Sequence, residues 1–146
     1  MAAGTLNQSG LRIANLTAAK RALRRISPDA HKGLKAASHT IAQQVVSKAT
    51  ARASARAQSA KAAQSLRARA GDSPTIALGG ARYPFALGAE FGGGRTARTR
   101  QFPAWRGSSR GAGYFLWPTV RDLSGYINDA YMDALDDALA KAERAA

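Results

Sequence analysis

An α+β fold, with a helical N-terminal half, a small antiparallel sheet carrying a long basic loop, and a C-terminal helix, is what this sequence predicts. Three observations lead there. Residues up to about 70 combine helical periodicity with helix-forming alanine; residues 71 to 118 exchange alanine for glycine, proline and aromatics; and residues 119 to 146 again repeat apolar positions every three or four. The 146 residues fit one domain. They divide into a flexible start at 1–10, a basic Ala-rich helical region at 11–70, a small sheet at 71–118 with an extended loop over 92–112, and a terminal helix at 119–146.

From Leu11 to Ile26, the apolar Ile13, Leu16, Leu23 and Ile26 suit one stripe of a helix. The run stops at Ser27-Pro28-Asp29, which has the chemistry of a new helix start: a capping hydroxyl, proline at the first helical position and an acid near the positive end of the dipole. The second helix places Ala30, Leu34, Ala37, Ile41 and Val45 on one face. Beyond Ala49 helix propensity stays high, but no large apolar side chain occurs before Leu66. Only alanine can face inward there, either against another backbone or toward a partner that completes it. Gly71 and the turn-like GDSP end this stretch.

Thr75–Leu78, Tyr83–Phe91 and 113–117 read as short strands, with Pro84 and Pro103 confining them to edges or bends. The three glycines at 92–94 read as a hinge. Thr119 with Asp122 resembles a capping box, and Val120, Leu123, Ile127, Ala130, Ala134 and Ala138 then mark the buried stripe of the last helix.

Charge constrains function more than fold does. The net formal charge is +13, and 34 of the 66 hydrophobic residues are alanine, while Leu, Ile, Val and Phe number only 24. Such a chain has little apolar area with which to offset its ordering entropy, so part of it is expected to order against a partner. Residues 1–70 carry thirteen Lys or Arg against Asp29 alone, whereas 119–146 carry three against six acidic residues. This polarity suits contact with a polyanion or with copies of the same chain, head to tail.

The chain has no cysteine, which excludes disulfides and thiolate metal sites. No secretory segment follows the polar start MAAGTLNQSG and no run reaches the roughly 18 apolar residues of a membrane span, so cytoplasmic synthesis and no membrane partner are expected. Catalysis and cofactors are not expected either. His31 and His39, eight positions apart, point roughly 80° away from each other on a helix, and the aspartates at 129, 133, 136 and 137 read as a solvated face. The glycine run lacks the Lys-Ser or Lys-Thr of a phosphate loop.

Two sets of residues remain as candidate binding groups. Arg52, Arg56, Lys61, Arg67 and Arg69 are candidates to face DNA or another polyanion, or else form a solvated basic helix. Glu90, Phe91, Arg95, Arg98, Arg100, Phe102, Trp105, Arg106 and Trp117 are candidates for a subunit or partner interface, because Arg with aromatics is the composition of interface anchors. Glu90 is either the buried partner of a neighbouring subunit's arginine or a strand residue turned to water.

The stretch RYPFALGAEFGG, a basic glycine-rich loop and then GYFLWPTVRD before a terminal helix resemble the pattern of small bacteriophage proteins from the head-to-tail joining, or tail-completion, region of long-tailed double-stranded DNA phages. Phe85, Ala86, Glu90, Phe91 and Gly92 occupy that family's first pattern; Phe115, Leu116, Pro118 and Val120 approximate its second. GDSPTIAL departs from the Ala-Pro then Thr-Gly-x-Leu turn of many members, and the insertion RTARTRQFPAWRGSSRG resembles the variant in phages of actinobacteria. The resemblance implies a structural protein of the virion neck, made in the host cytoplasm. Its partners would be copies of itself in a ring, neighbouring neck, tail-terminator or tail-tube proteins, and the packaged DNA in the channel. A minor tail protein elsewhere on the tail and a nucleoid-type DNA-binding protein are the alternatives.

Overall fold

The computed structural model describes residues 4–7, 10–13, 16–93, 102–107 and 111–145. The described part of the chain runs β1 (Gly4–Asn7), β2 (Gly10–Ile13), α1 (Leu16–Ile26), α2 (Pro28–Ala53), α3 (Ala57–Ala63), β3 (Arg67–Arg69), β4 (Thr75–Ala77), α4 (Ala86–Phe91), α5 (Leu116–Asp122) and α6 (Ser124–Ala145). It is a mostly helical α+β arrangement in which β1 pairs with β2, and β3 with β4, both antiparallel. The region expected to be a flexible start therefore contains a strand, and the first helix begins at Leu16 instead of Leu11.

The long helix α2 forms for the local reasons its sequence gives. Ser27 is extended and its hydroxyl accepts the N–H of Ala30 at 3.3 Å, with Pro28 opening the helix and Asp29 in the first turn. Ala30, Leu34, Ile41 and Val45 are buried along one face. Against that face packs α6, whose buried residues are Tyr131, Leu135, Ala138 and Ala142, with Leu23 of α1 closing the cluster. The stripe expected through Ala130 and Ala134 is only partly buried, because the helix is rotated to seat the larger Tyr131 and Leu135.

A second cluster answers where the alanines go. Ala49, Ala53, Ala62, Ala63, Ala86 and Ala89 are buried together with Leu66 and Phe115. Alanine side chains let α2, α3 and α4 approach closely around the one large ring. The helical run does not reach residue 70. At Ser54 the hydroxyl bonds the carbonyl of Ala51 at 2.6 Å and the backbone tightens to three-residue spacing, after which Arg56 is extended and α3 folds back. Ser65 then accepts the N–H of Gly79 at 2.9 Å, and Arg67–Arg69 pair with Thr75–Ala77. Tertiary pairing overrides helix propensity over these residues.

Two other expectations are corrected. Tyr83–Phe91 is not a strand: Tyr83 to Phe85 form a turn that leads into the helix α4. Residues 113–117 are likewise the approach to, and first residues of, α5, which begins at Leu116, ahead of the expected cap at Thr119. Thr119 sits inside α5 and returns its hydroxyl to the carbonyl of Phe115 at 2.6 Å.

Candidate docking surface

The segment from Tyr83 to Pro118 is built around a single buried carboxylate. Ala86, Ala89 and Glu90 form the inward face of α4, and Glu90 has no solvent exposure. Helix α5 has no side-chain cap: its flanking residue is Phe115. Glu90 supplies one from a distance. Its Oε2 accepts the N–H groups of Phe115 and Leu116 at 3.1 and 3.0 Å, and its Oε1 accepts that of Trp117 at 2.8 Å. The next residue, Pro118, has no N–H. All four orphan donors of a helix start are thereby accounted for: three bonded and one absent. Gly113, at φ +84°, lies so close that a Cβ there would overlap the Glu90 carboxylate. Glu90 is therefore an internal cap, not the partner of a neighbouring subunit's arginine and not a solvent-facing strand residue.

The cap sets the position of the basic loop's two arms. Gly93 donates to the carbonyl of Pro103 at 2.9 Å, Arg106 to that of Phe91 and Gly113 to that of Arg106 at 2.7 Å. Gly92, read as a hinge, is buried at φ +86°, where a Cβ would lie 2.8 Å from the Pro103 oxygen. It permits close approach of the two arms. Phe102 is half-buried, its ring over Gly88 of α4, where a Cβ would lie 2.6 Å from it. Trp105, by contrast, is 56% exposed, with one side toward Phe91 at a ring separation of 6.4 Å. Trp117 is 38% exposed. Arg95, Arg98 and Arg100 lie outside the described residues.

Around Tyr114 stands a basic cluster that spacing alone did not reveal. The guanidinium carbons of Arg56 and Arg106 lie 4.5 and 4.4 Å from the ring centre of Tyr114, whose hydroxyl donates to the carbonyl of Ala104 at 2.6 Å. Among the described residues, neither arginine meets a carboxylate. Arg52 does: it pairs with Asp122 of α5 and so joins α2 to α5 instead of facing outward freely. Lys61 is exposed on α3, and Arg67 and Arg69 share the exposed face of β3. The structure thus gathers Arg56, Arg106 and Tyr114 together, with the exposed Trp105 next to Arg106 in the chain, and it shows no contact of Lys61, Arg67 or Arg69 with that cluster among the described residues.

A separate polar cluster ties α1, α2, α6 and the turn at 71–74 together. Asp72 accepts from Arg24 at 3.2 Å and lies 2.7 Å from Nε2 of His31, while Tyr131 donates to the Asp72 carbonyl at 2.7 Å. Partial burial pushes the Asp72 carboxyl up, but the His31 hydrogen bond and the charges of His31, Arg24 and Lys20 outweigh it, and the carboxyl titrates below its ordinary value. Burial pushes the Tyr131 phenol up. Among the described residues, no three His, Asp or Glu side chains group as metal ligands, and no helix is long and apolar enough to cross a membrane.

No protein-family model matches the chain, and neither curated proteins nor solved structures give a significant match.

Proposed function

We propose that this chain is a structural protein of the phage neck that joins head to tail by assembly and docking, without chemistry of its own. The observation that carries the reading is the presentation of Trp105 and Arg106: both arms of the basic loop are pinned to α4 and to the residues before α5, Trp105 is left exposed, and the neighbouring Arg106 lies with Arg56 at Tyr114, neither arginine meeting a carboxylate among the described residues. A preorganised Arg–aromatic surface is what a docking joint needs, because little side-chain freedom is lost on binding. The resemblance to tail-completion proteins supplies the setting, and the Glu90–Pro118 relation supports it: the Glu of the first pattern and the Pro of the second jointly complete one helix start.

Immunogold electron microscopy of virions carrying this chain with a C-terminal epitope tag tests the proposal. Label confined to the junction of head and tail is the expected outcome. Label at the tail tip would make it a minor tail protein, and unlabelled virions with an accessible control epitope would remove it from the particle.

The nucleoid-type reading keeps one favourable observation, the shared exposed face of Arg67 and Arg69. It requires duplex binding that falls steeply with salt and survives changes at Trp105.

A further inference from the structure

The same helix pair that forms the core also separates two complementary surfaces. Near the start of α2, an open groove of about 380 Å³ runs between α2 and α6. Its floor is small, including Gly33, Ala37 and Ala134, and its rim carries Asp133, Asp137 and Lys141. Asp133 and Asp137 are exposed and four residues apart, so they present two carboxylates one helical turn apart on one face. Neither is in an ion pair among the described residues. At the other end of α2, just past Arg52, stand Arg56 and Arg106 with the exposed Trp105.

Gly33 and Arg52 lie on one continuous helix, which at 1.5 Å per residue puts the groove and the basic surface about 28 Å apart. The rigid helix keeps a single copy from closing one on the other. We propose that the groove between α2 and α6 receives the Trp105–Arg106 projection, with Arg56, of a second copy. Two guanidiniums held at one ring repel each other and meet no carboxylate among the described residues; Asp133 and Asp137, at one-turn spacing on the next copy, are opposite to them in sign and outnumber the one cation of the groove's rim, Lys141. The floor beneath is small, with Gly33 facing the Lys141 ammonium, so an indole entering there would lie beside the lysine side chain. The contact joins two different surfaces, so it is heterologous: repeated, it closes into a ring or continues as a filament. This deepens the assembly reading above by naming one partner, and the two can fail separately.

The test uses the purified full-length protein and sedimentation velocity at low and high salt. The wild-type chain is expected to self-associate, less so at high salt. Asp133→Lys with Asp137→Lys, and separately Arg56→Glu with Arg106→Glu, are each expected to weaken association more than about tenfold. An equimolar mixture of the two double variants should associate again, because each keeps one intact surface and the altered pair has opposite charges. All four positions are exposed, and unchanged circular dichroism would establish that the variants fold. A monomeric wild type, variants that associate as the wild type does, or a mixture that stays monomeric would overturn the proposal. Loss of duplex DNA binding in the arginine variant with self-association intact would also overturn it and assign that surface to phosphate. A monomer found at the virion neck would sink this inference alone, whereas an assembling chain labelled elsewhere would sink only the neck reading.

Discussion

Replacing Glu90 by alanine would leave three N–H groups at the start of α5 without an acceptor, one buried and two partly buried, so the loss should be on the order of 2–3 kcal/mol. Denaturant unfolding measures it, and a midpoint within experimental error of the wild type would refute the capping role. Gly113→Ala should be severe for a related reason, since the new methyl would meet the carboxylate at a positive φ. Asp72 makes a different, pH-dependent contribution. Its folded carboxyl titrates below the unfolded value of roughly 3.9, so its stabilisation is present above that value and is lost as pH falls through the depressed folded one. The stability gap between wild type and Asp72→Asn should therefore shrink on acidification toward pH 3; a gap that widened would contradict this. The sequence hid the inward role of Glu90, because it offers Thr119 as a local cap and 113–117 as a strand; only a helix starting at Leu116 has no Ser, Thr, Asp or Asn in Tyr114-Phe115-Leu116-Trp117 to cap it. A helix start without a local acceptor must find a remote one, but nothing in the spacing says which carboxylate supplies it.

At the scale of elements, the loop arms separate folding from docking. Phe102→Ala removes a ring packed on Gly88 and should lower stability by about 1–2 kcal/mol. Trp105→Ala, on an exposed side chain, should leave stability within about 0.5 kcal/mol while weakening assembly. Thermal melts of both variants beside their sedimentation profiles check the contrast; equal losses of stability would contradict it. The cap at Ser27, the inward face of α2 and the presence of a C-terminal helix were legible, because a capping hydroxyl and apolar repeats act locally; the break at Leu123 that divides it into α5 and α6, and its buried face on Tyr131 and Leu135, were not. The Ala-rich stretch was not. Its break at Ser54 rests on local three-residue bonds that propensity does not signal, and its return as β3 depends on Gly79, which bonds Ser65, and on pairing with Thr75–Ala77. The six residues of α4 are too few to show a helical period, and their aromatic and glycine neighbours imitate a strand.

For the whole molecule, the polarity visible in the sequence acquires a direction: a basic surface around Tyr114 at one end of α2 and a groove rimmed by Asp133, Asp137 and Lys141 toward the other. The charge counts indicated two ends, but not that Arg52 is spent on Asp122 while Arg56 and Arg106 converge on Tyr114, because that convergence joins Arg56 to a segment some fifty residues away in sequence. The central claim is that these surfaces serve a joint between head and tail. In vitro joining tests it most directly: separated heads and tails from a lysate lacking this chain are mixed with the purified protein, and infectious particles are counted. The wild-type chain should restore joining and Trp105→Ala should not. A lysate that forms normal particles without the chain, or full rescue by Trp105→Ala, would contradict the account.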